Sequence, residues 1–365
     1  MNSIDDLQLR EPDKTELFSV VKADRLIRIC VALLKAAGAS EDEARAVANG
    51  CVNANLAGHD SHGVIAIPTY IDSIKEGKIV PGAEWTIVRE SPTTAVIDGH
   101  WGFGFHVTTK AMALAIEKAK IANVAACTVF AQSHVGRLAA YPLMAASAGM
   151  IGLAAAVSGG NLVAPFGGRE ARLGTNPISI AVPSDLEAPF LLDMATSAVA
   201  AGKLELAIAR GEEIPKGWLI DAEGHPTTDP RDYRNGGVLM PLGGAEGHKG
   251  SGLAAIVELL CRLLTGPGSG AKLADREKFG CFLAVFNVAA FRPLDEFKKE
   301  VADFAQRLKS AAPSEDSSGV FYPGEIGYWR ERERIVHGIK LENATWDTLR
   351  TLARNCGLAA ELDLA

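Results

Sequence analysis

Thr94-Ala95-Val96-Ile97-Asp98-Gly99-His100-Trp101-Gly102-Phe103-Gly104-Phe105-His106 is the stretch on which the fold turns. It reads as a β run, a glycine turn and the opening of a helix that continues to Ala122, the place where an α/β chain would carry a dinucleotide-binding fingerprint. The glycines fall as G-x-x-G-x-G instead of G-x-G-x-x-G, and no acidic residue is placed about 20 positions on to hold a ribose hydroxyl. A Rossmann site is therefore absent. The helix sets Val107, Ala111, Leu114, Ala115 and Ala119 on one face and Lys110, Glu117 and Lys120 opposite. Lys118 alone breaks that pattern.

Downstream and upstream of this stretch the texture differs. The runs Thr94–Ile97, Val124–Phe130, Ile151–Val157, Ile178–Val182 and Phe190–Leu192 alternate with helices and glycine turns through irregular connections, which predicts a mixed sheet. Before it, Ile27, Cys30, Val31 and Leu34 repeat at helical spacing, and Gly38 closes the helix as a left-handed cap. Ser40 and Glu43 form a capping box for a second helix ending near Leu56, and a third runs from about Ile65 to Lys75. After a loop-rich stretch, residues 211–247, helices are expected at Ser251–Leu264, Pro293–Leu308, Glu325–Arg334 and Ala344–Cys356, with a strand at Cys281–Phe286. The expected architecture is α+β. Residues 18–85 and 248–365 would form one discontinuous helical domain around a mixed-sheet domain, 86–247, with strand 281–287 added to the sheet.

The 365 residues, 48% hydrophobic and 22% charged, describe a folded globular chain. With 37 basic and 44 acidic side chains the net charge is −7, which gives no basic footprint for nucleic acid. No export signal is read at the acidic N-terminus, and the most apolar stretch, Leu253–Leu264, is broken by Glu258 and Arg262, short of the ~18–20 residues of a membrane span. Six scattered cysteines without a C-x-x-C read as reduced thiols, so a cytoplasmic protein is expected.

No P-loop and no G-x-S-x-G elbow is present, and Ser61 next to His62 is a poor nucleophile and base pair because those groups normally come from separate segments. His59, His62, His134 and His248 each sit in a glycine-flanked polar segment. Any one of them alone would read as a structural imidazole; four in such company point to a site. His59 and His62 at i, i+3 suit a metal-dependent hydrolase or lyase, but no further ligand cluster supports them and no metal is expected. Hydride transfer between a nicotinamide and a carbonyl needs an acid/base, a cation for a carboxylate and backbone donors for phosphates. His62 or His134 can supply the first. Arg137, read as a first-turn helix residue, offers a fork for an anion, and Gly247-His248-Lys249-Gly250 places glycines and a cation at a helix start. Asp193 reads either as part of an N-cap region or as a ribose contact, and Gly174-Thr175-Asn176-Pro177 and Tyr322-Pro323-Gly324-Glu325 as rigid turns.

Taken in order, Gly58-His59-Asp60-Ser61-His62-Gly63, Ser133-His134-Val135-Gly136, Val163-Ala164-Pro165-Phe166-Gly167-Gly168, Gly174-Thr175-Asn176-Pro177, Leu192-Asp193-Met194-Ala195-Thr196-Ser197, Gly247-His248-Lys249-Gly250 and Pro323-Gly324-Glu325 resemble the type-2 malate/L-lactate dehydrogenase family, over about residues 24–356. The run His134 to Arg137, the pair His248-Lys249 and the charges Arg330 to Arg334 resemble its hydroxycarboxylate dehydrogenase branch most. The resemblance implies a non-Rossmann, nicotinamide-binding sheet domain, NAD or NADP as cofactor, a 2-oxo or 2-hydroxy acid as substrate, and a homodimer. It implies His62 as acid/base beside Ser61, with His134 as second choice. It also implies a cofactor lining of His62, Gly136, Arg137, Leu138, Asp193, Met194, Ala195, Thr196, His248, Lys249, Asn287, Gly324 and Glu325. Many members carry an arginine four residues after the Ser-His histidine, where this chain has Ala66, so the substrate carboxylate is assigned to Arg137, with Asn176 as a further substrate contact. Lys203 stands where imine-reducing members place an acid, which sets reduction of a cyclic imine carboxylate second to 2-oxo acid chemistry.

Overall fold

The computed structural model describes residues 18–157, 159–265 and 279–364. The chain opens with β1 (Phe18–Val21), α1 (Ala23–Ala36), α2 (Glu41–Leu56) and α3 (Ile67–Lys75). It continues through β2 (Thr86–Glu90), β3 (Thr94–Asp98), α4 (Gly104–Ala122), β4 (Val124–Gln132), α5 (Ala140–Ser147), β5 (Met150–Val157), β6 (Ile178–Val182) and β7 (Phe190–Met194). Next come α6 (Ala201–Arg210), the short strands β8 (Leu219–Ile220), β9 (Pro226–Thr227) and β10 (Val238–Leu239), and α7 (His248–Glu258), which runs on as a π-helix at Leu259–Leu263. Finally there are β11 (Phe279–Asn287), α8 (Leu294–Lys309), α9 (Glu325–His337), β12 (Ile339–Glu342) and α10 (Asn343–Asn355).

A seven-stranded sheet in the order β2-β3-β4-β11-β5-β6-β7 is the centre of the molecule. Only β3 and β4 pair in parallel, joined by α4 as crossover. The expected mixed, non-Rossmann sheet is thus observed, and the strand expected near residues 281–287 is its middle strand. Alternation places Cys281, Leu283 and Val285 of β11 under α4 with Ile97, Ala111, Met112 and Val129, whereas Phe282 meets the π-turn at Val257 and Cys261. A strand covered on both faces must be apolar where it is covered, as β11 is from Phe279 to Phe286.

A separate helical core gathers Leu26, Ile29 and Leu33 of α1, Val47 and Val52 of α2, Ile67 and Tyr70 of α3, and Leu349 and Ala353 of α10. The β1–β12 ribbon ties the two ends of the chain together across this core. Gly38, at φ +105°, follows the last turn of α1, and the Ser40–Glu43 capping box opens α2. Phe103 and Phe105, from the glycine turn that opens α4, also enter this core and so clamp the sheet to the helices. By contrast, α8 and the turn before α9 pack through Ala305 and Tyr322 on Ala188 and Phe190 at the β7 edge. Lys118 is explained by its partners, Ser91 O at 2.7 Å and Glu90 at 2.8 Å.

Sequence periodicity missed β1, β2, β12 and α6. All five residues of β2 are exposed, so it lacks alternation, and β1 and β12 are four residues each. Arg137 lies outside the helix expected to hold it, since α5 starts at Ala140.

Gly104 sets the approach of α4 to the end of β4. Its amide donates to Ser133 Oγ at 2.9 Å, and a methyl group there would stand 2.1 Å from Ser133 O and 2.6 Å from His134 O. Gly104→Ala should therefore destabilise the protein by about 1–3 kcal/mol or more, read as a lowered melting temperature with loss of activity.

Candidate active site

The site is built where the turn after α2 meets the end of β4. Gly58, at φ +84°, turns the chain out of α2 with Arg330 lying across its open side, and Asp60–His62 forms a single 3₁₀ turn. Asn55, on the last turn of α2, fixes that turn from below. Its Oδ1 accepts the Val64 amide at 2.9 Å, its Nδ2 donates to Asp60 Oδ1 at 2.7 Å, and Gly63 has no room for a side chain against it. Arg334 of α9 holds Asp60 from the other side at 2.7 Å. The backbone carrying His62 is therefore over-determined by groups none of which reacts.

His62 and His134 come together with ring centroids 5.9 Å apart. Each has one ring nitrogen already engaged: Ser61 Oγ is 3.0 Å from His62 Nδ1, and Tyr70 Oη is 2.7 Å from His134 Nδ1. Gly202, in the first turn of α6, backs Ser61 so closely that a methyl group would lie 2.8 Å from Ser61 Cβ. Phe105 and Phe279 close the other sides of His134.

Burial sets the protonation states. It lowers His134 to about 3, with the neighbouring His62 adding a smaller push in the same direction. Burial likewise raises the Tyr70 hydroxyl well above its ordinary value, so the bond between Tyr70 and His134 Nδ1 joins two neutral groups. His134 is consequently a neutral imidazole near neutral pH. His62 is also lowered, chiefly by burial and in part by Arg137, against an opposing pull from Asp193. His59, although surface-accessible, is lowered by partial desolvation and by the nearby charges of Arg137, His62 and Arg330, against Asp60.

Arg137, expected to receive a substrate carboxylate, is closed on Asp193: its Nε donates to Oδ2 at 3.0 Å, and both side chains are largely covered. The loop between β4 and α5 faces β7, where Asp193 sits within the strand and not in the N-cap region that was one reading of it. Burial raises the Asp193 carboxyl while Arg137 holds it down. Asn176 is wholly buried at φ +39° and donates to Ala254 O and Glu258 Oε1 of α7, so it anchors that helix and does not face the pair of histidines. Its Oδ1 has no partner among the described residues. Leu138 lies in the sheet core. Asn287 ends β11, about 26 Å along the strand from Phe279, and its side chain accepts from the Ala289 amide. Glu325 is buried against Lys309, so its charge is already neutralised.

Gly136 takes φ +68° against Phe105, and Met194 and Ala195 continue the backbone from Asp193 to the buried Thr196, which donates to Asn176 O. Thr196 O in turn accepts from Leu242, ahead of the exposed His248 and Lys249 at the start of α7. The amino ends of α6, α7 and α9 carry no side-chain cap, at Ala200, Gly247 and Gly324 respectively. Helix amino ends free of a capping side chain, with glycine beside them, suit a pyrophosphate, so these residues fit a dinucleotide. Tyr70, Asn55 and Gly202 were missed by sequence reasoning. Only Asn55, a polar side chain buried on an otherwise apolar helix face, left a signal. A larger groove of about 610 Å³ beside α1 is lined by Arg25, Lys35, Glu41 and Arg45 with residues near the C-terminus, remote from both histidines.

The mixed seven-stranded sheet, with two imidazoles meeting beside the end of β4, is a non-Rossmann architecture. The comparisons define it further. The malate/L-lactate dehydrogenase family model matches residues 21–350. The malate dehydrogenase of Pyrococcus abyssi is 39% identical, with 97% of each chain covered. Hydroxycarboxylate dehydrogenase B of Escherichia coli strain K12 is 35% identical, over 90% of this chain and 92% of that one. The crystal structure of malate dehydrogenase from Entamoeba histolytica superposes with a TM-score of 0.89 at 33% identity, covering 93% of this chain and 98% of that one. The chain belongs to the malate/L-lactate dehydrogenase family and is a dehydrogenase.

His134, depressed to about 3, links folding to pH. In the unfolded chain it binds a proton near pH 6.5, so the unfolded state takes up more protons as pH falls and stability declines from pH 6.5 towards 4. The expected loss is on the order of a few kcal/mol, read from denaturant midpoints, and His134→Gln should flatten it. An identical pH slope in that variant would contradict the assignment of His134 as a neutral imidazole in the folded protein.

Proposed function

We propose that this 2-hydroxy acid dehydrogenase uses His62 as the proton acceptor and donor, and His134 as a neutral hydrogen-bond donor to the same oxygen. The observation that carries the reading is the pair of imidazoles at 5.9 Å with both Nδ1 atoms engaged, by Ser61 and by Tyr70. That leaves each Nε2 for one oxygen between the rings. An imidazole that stays neutral donates to a carbonyl without competing for its proton, while His62, nearer its ordinary value, exchanges one. A nicotinamide, when bound, supplies or accepts the hydride.

The chain's own groups do the rest. In oxidation, neutral His62 takes the hydroxyl proton at Nε2 while Ser61 steadies Nδ1; in reduction, protonated His62 returns it to the nascent alkoxide. The Arg137–Asp193 pair lies beside His62 with opposed effects on its proton, and it fixes the β4–α5 loop against β7. The cofactor, NAD or NADP, would be held by the backbone at Gly136 and from Asp193 to Thr196, by His248 and Lys249 at α7 and by Gly324 at α9.

Among the described residues no three His, Cys, Asp or Glu side chains are grouped to hold a metal, and His59 instead faces Arg137 and Arg330, which disfavours a hydrolase built on His59 and His62. The relatives named above are hydroxy acid dehydrogenases, which places imine reduction second. No described helix is long and apolar enough to cross a membrane. Five of the six cysteines are buried and all six are free, which supports a reducing, cytoplasmic setting. Leu253, Ile256, Leu259 and Leu263 form an exposed apolar stripe along α7 and its π-turn, a surface suited to the partner in a homodimer.

His62→Ala should lower turnover by about 10²–10⁴-fold in an assay of nicotinamide absorbance with a panel of 2-oxo acids. Because His62 lies below its ordinary value, wild-type oxidation should rise with pH through one ionisation below 6.5 and then level off, and reduction should fall over the same interval. No turnover with either cofactor would remove the reading; full activity in His62→Ala would move proton transfer to another group.

A further inference from the structure

His134 is also one wall of a cavity of about 220 Å³ that His62 does not touch. One side of the cavity is a single helix face: Ala66, Thr69, Tyr70 and Ser73 stand at i, i+3, i+4 and i+7. Ala66 is four residues from His62 and marks the end nearest the chemistry, where its methyl group takes up little space. Ser73 lies about 10 Å further along the axis. There the chain folds back, with the Lys78 amide donating to Ser73 O at 2.8 Å, so that Lys78 stands at the far end. Among the described residues lining the cavity, Lys78 is the one permanently charged side chain and none is a carboxylate.

Lys78 also pairs with Glu76 at 2.8 Å, and both side chains are at least half exposed. Such a surface pair contributes little and yields readily to a better-placed anion. A ligand oxygen held by His134 would therefore have, along its own length, an apolar and hydroxylated channel ending in a cation.

We propose that this cavity receives the side chain of the substrate and that Lys78, with Ser73, binds a second anionic group at its far end. The substrate class is then a 2-oxo acid bearing a distal carboxylate, with five or six carbons to cover the span from Ala66 towards Lys78. The proposal rests on the 2-oxo acid reading given above and makes Lys78 a specificity-determining residue.

The test compares acids matched in length, 2-oxoglutarate against 2-oxopentanoate and 2-oxoadipate against 2-oxohexanoate, in wild type, Lys78→Gln and Lys78→Arg. Wild type should favour the diacid of each pair by about tenfold or more in kcat/KM, with the difference carried mainly by KM. In Lys78→Gln that ratio should collapse towards one, and in Lys78→Arg it should largely return. A second variant, Ala66→Leu, should fall more on six-carbon than on three-carbon 2-oxo acids. A ratio unchanged in Lys78→Gln, or a wild-type preference for the neutral acids, overturns the proposal. If wild type reduces none of these acids nor pyruvate, the underlying 2-oxo acid reading fails and takes the proposal with it, an outcome distinct from a working enzyme that ignores Lys78.

Discussion

The hydrogen bond between the Tyr70 hydroxyl and His134 Nδ1 is the contact on which the site depends. It joins α3 of the helical core to the residue just beyond β4, so it exists only if the two halves of the molecule are packed in one relative position. Phe103 and Phe105 supply that packing, and Gly104 lets the end of β4 come close enough. A buried phenol and a buried imidazole each strongly disfavour ionising, and the bond between them satisfies both while neutral. In the proposed mechanism His134 is thereby kept out of proton exchange and serves as a donor, which makes His62 the titrating member of the pair.

The second constraint is electrostatic. A chain of net charge −7 handles anionic reactants through local arrangement. Arg137 and Arg330 surround His59 and the Asp60–His62 turn, and Asp193 stands against Arg137, so neither sign dominates at His62. Uncapped amino ends of α6, α7 and α9 add donors without mobile side chains. Positive potential is concentrated in backbone and paired groups, which cost no reorganisation when a ligand arrives.

Much of the fold was legible because local chemistry decides it. Gly38 and the Ser40–Glu43 box ended and began helices where expected, β6 ran between the residues expected for it, and the G-x-x-G-x-G spacing correctly excluded a Rossmann turn although a βαβ crossover does occupy that place. The site was legible only in part. His62 and His134 stood out by their glycine-flanked setting, whereas Asn176, Leu138, Glu325 and Asn287 were expected from motif alone, and the structure gives them contacts of their own. Those positions follow from strand register and helix docking, which no local pattern encodes: Asn287 is at the far end of β11 from Phe279, and Asn176 turns towards α7. Tyr70 went unnoticed for the same reason, since a tyrosine on an amphipathic helix reads as core until its hydroxyl is seen to meet a histidine from another element.

The most direct test of the division of labour between the imidazoles is a nitrogen-15 NMR titration of histidine-labelled protein from pH 4 to 8, with His62 and His134 assigned by single substitution. His134 should remain neutral with its proton on Nε2 down to at least pH 5, while His62 titrates in one step below 6.5. A His134 signal that titrates near 6.5, or that carries its proton on Nδ1, would contradict the account.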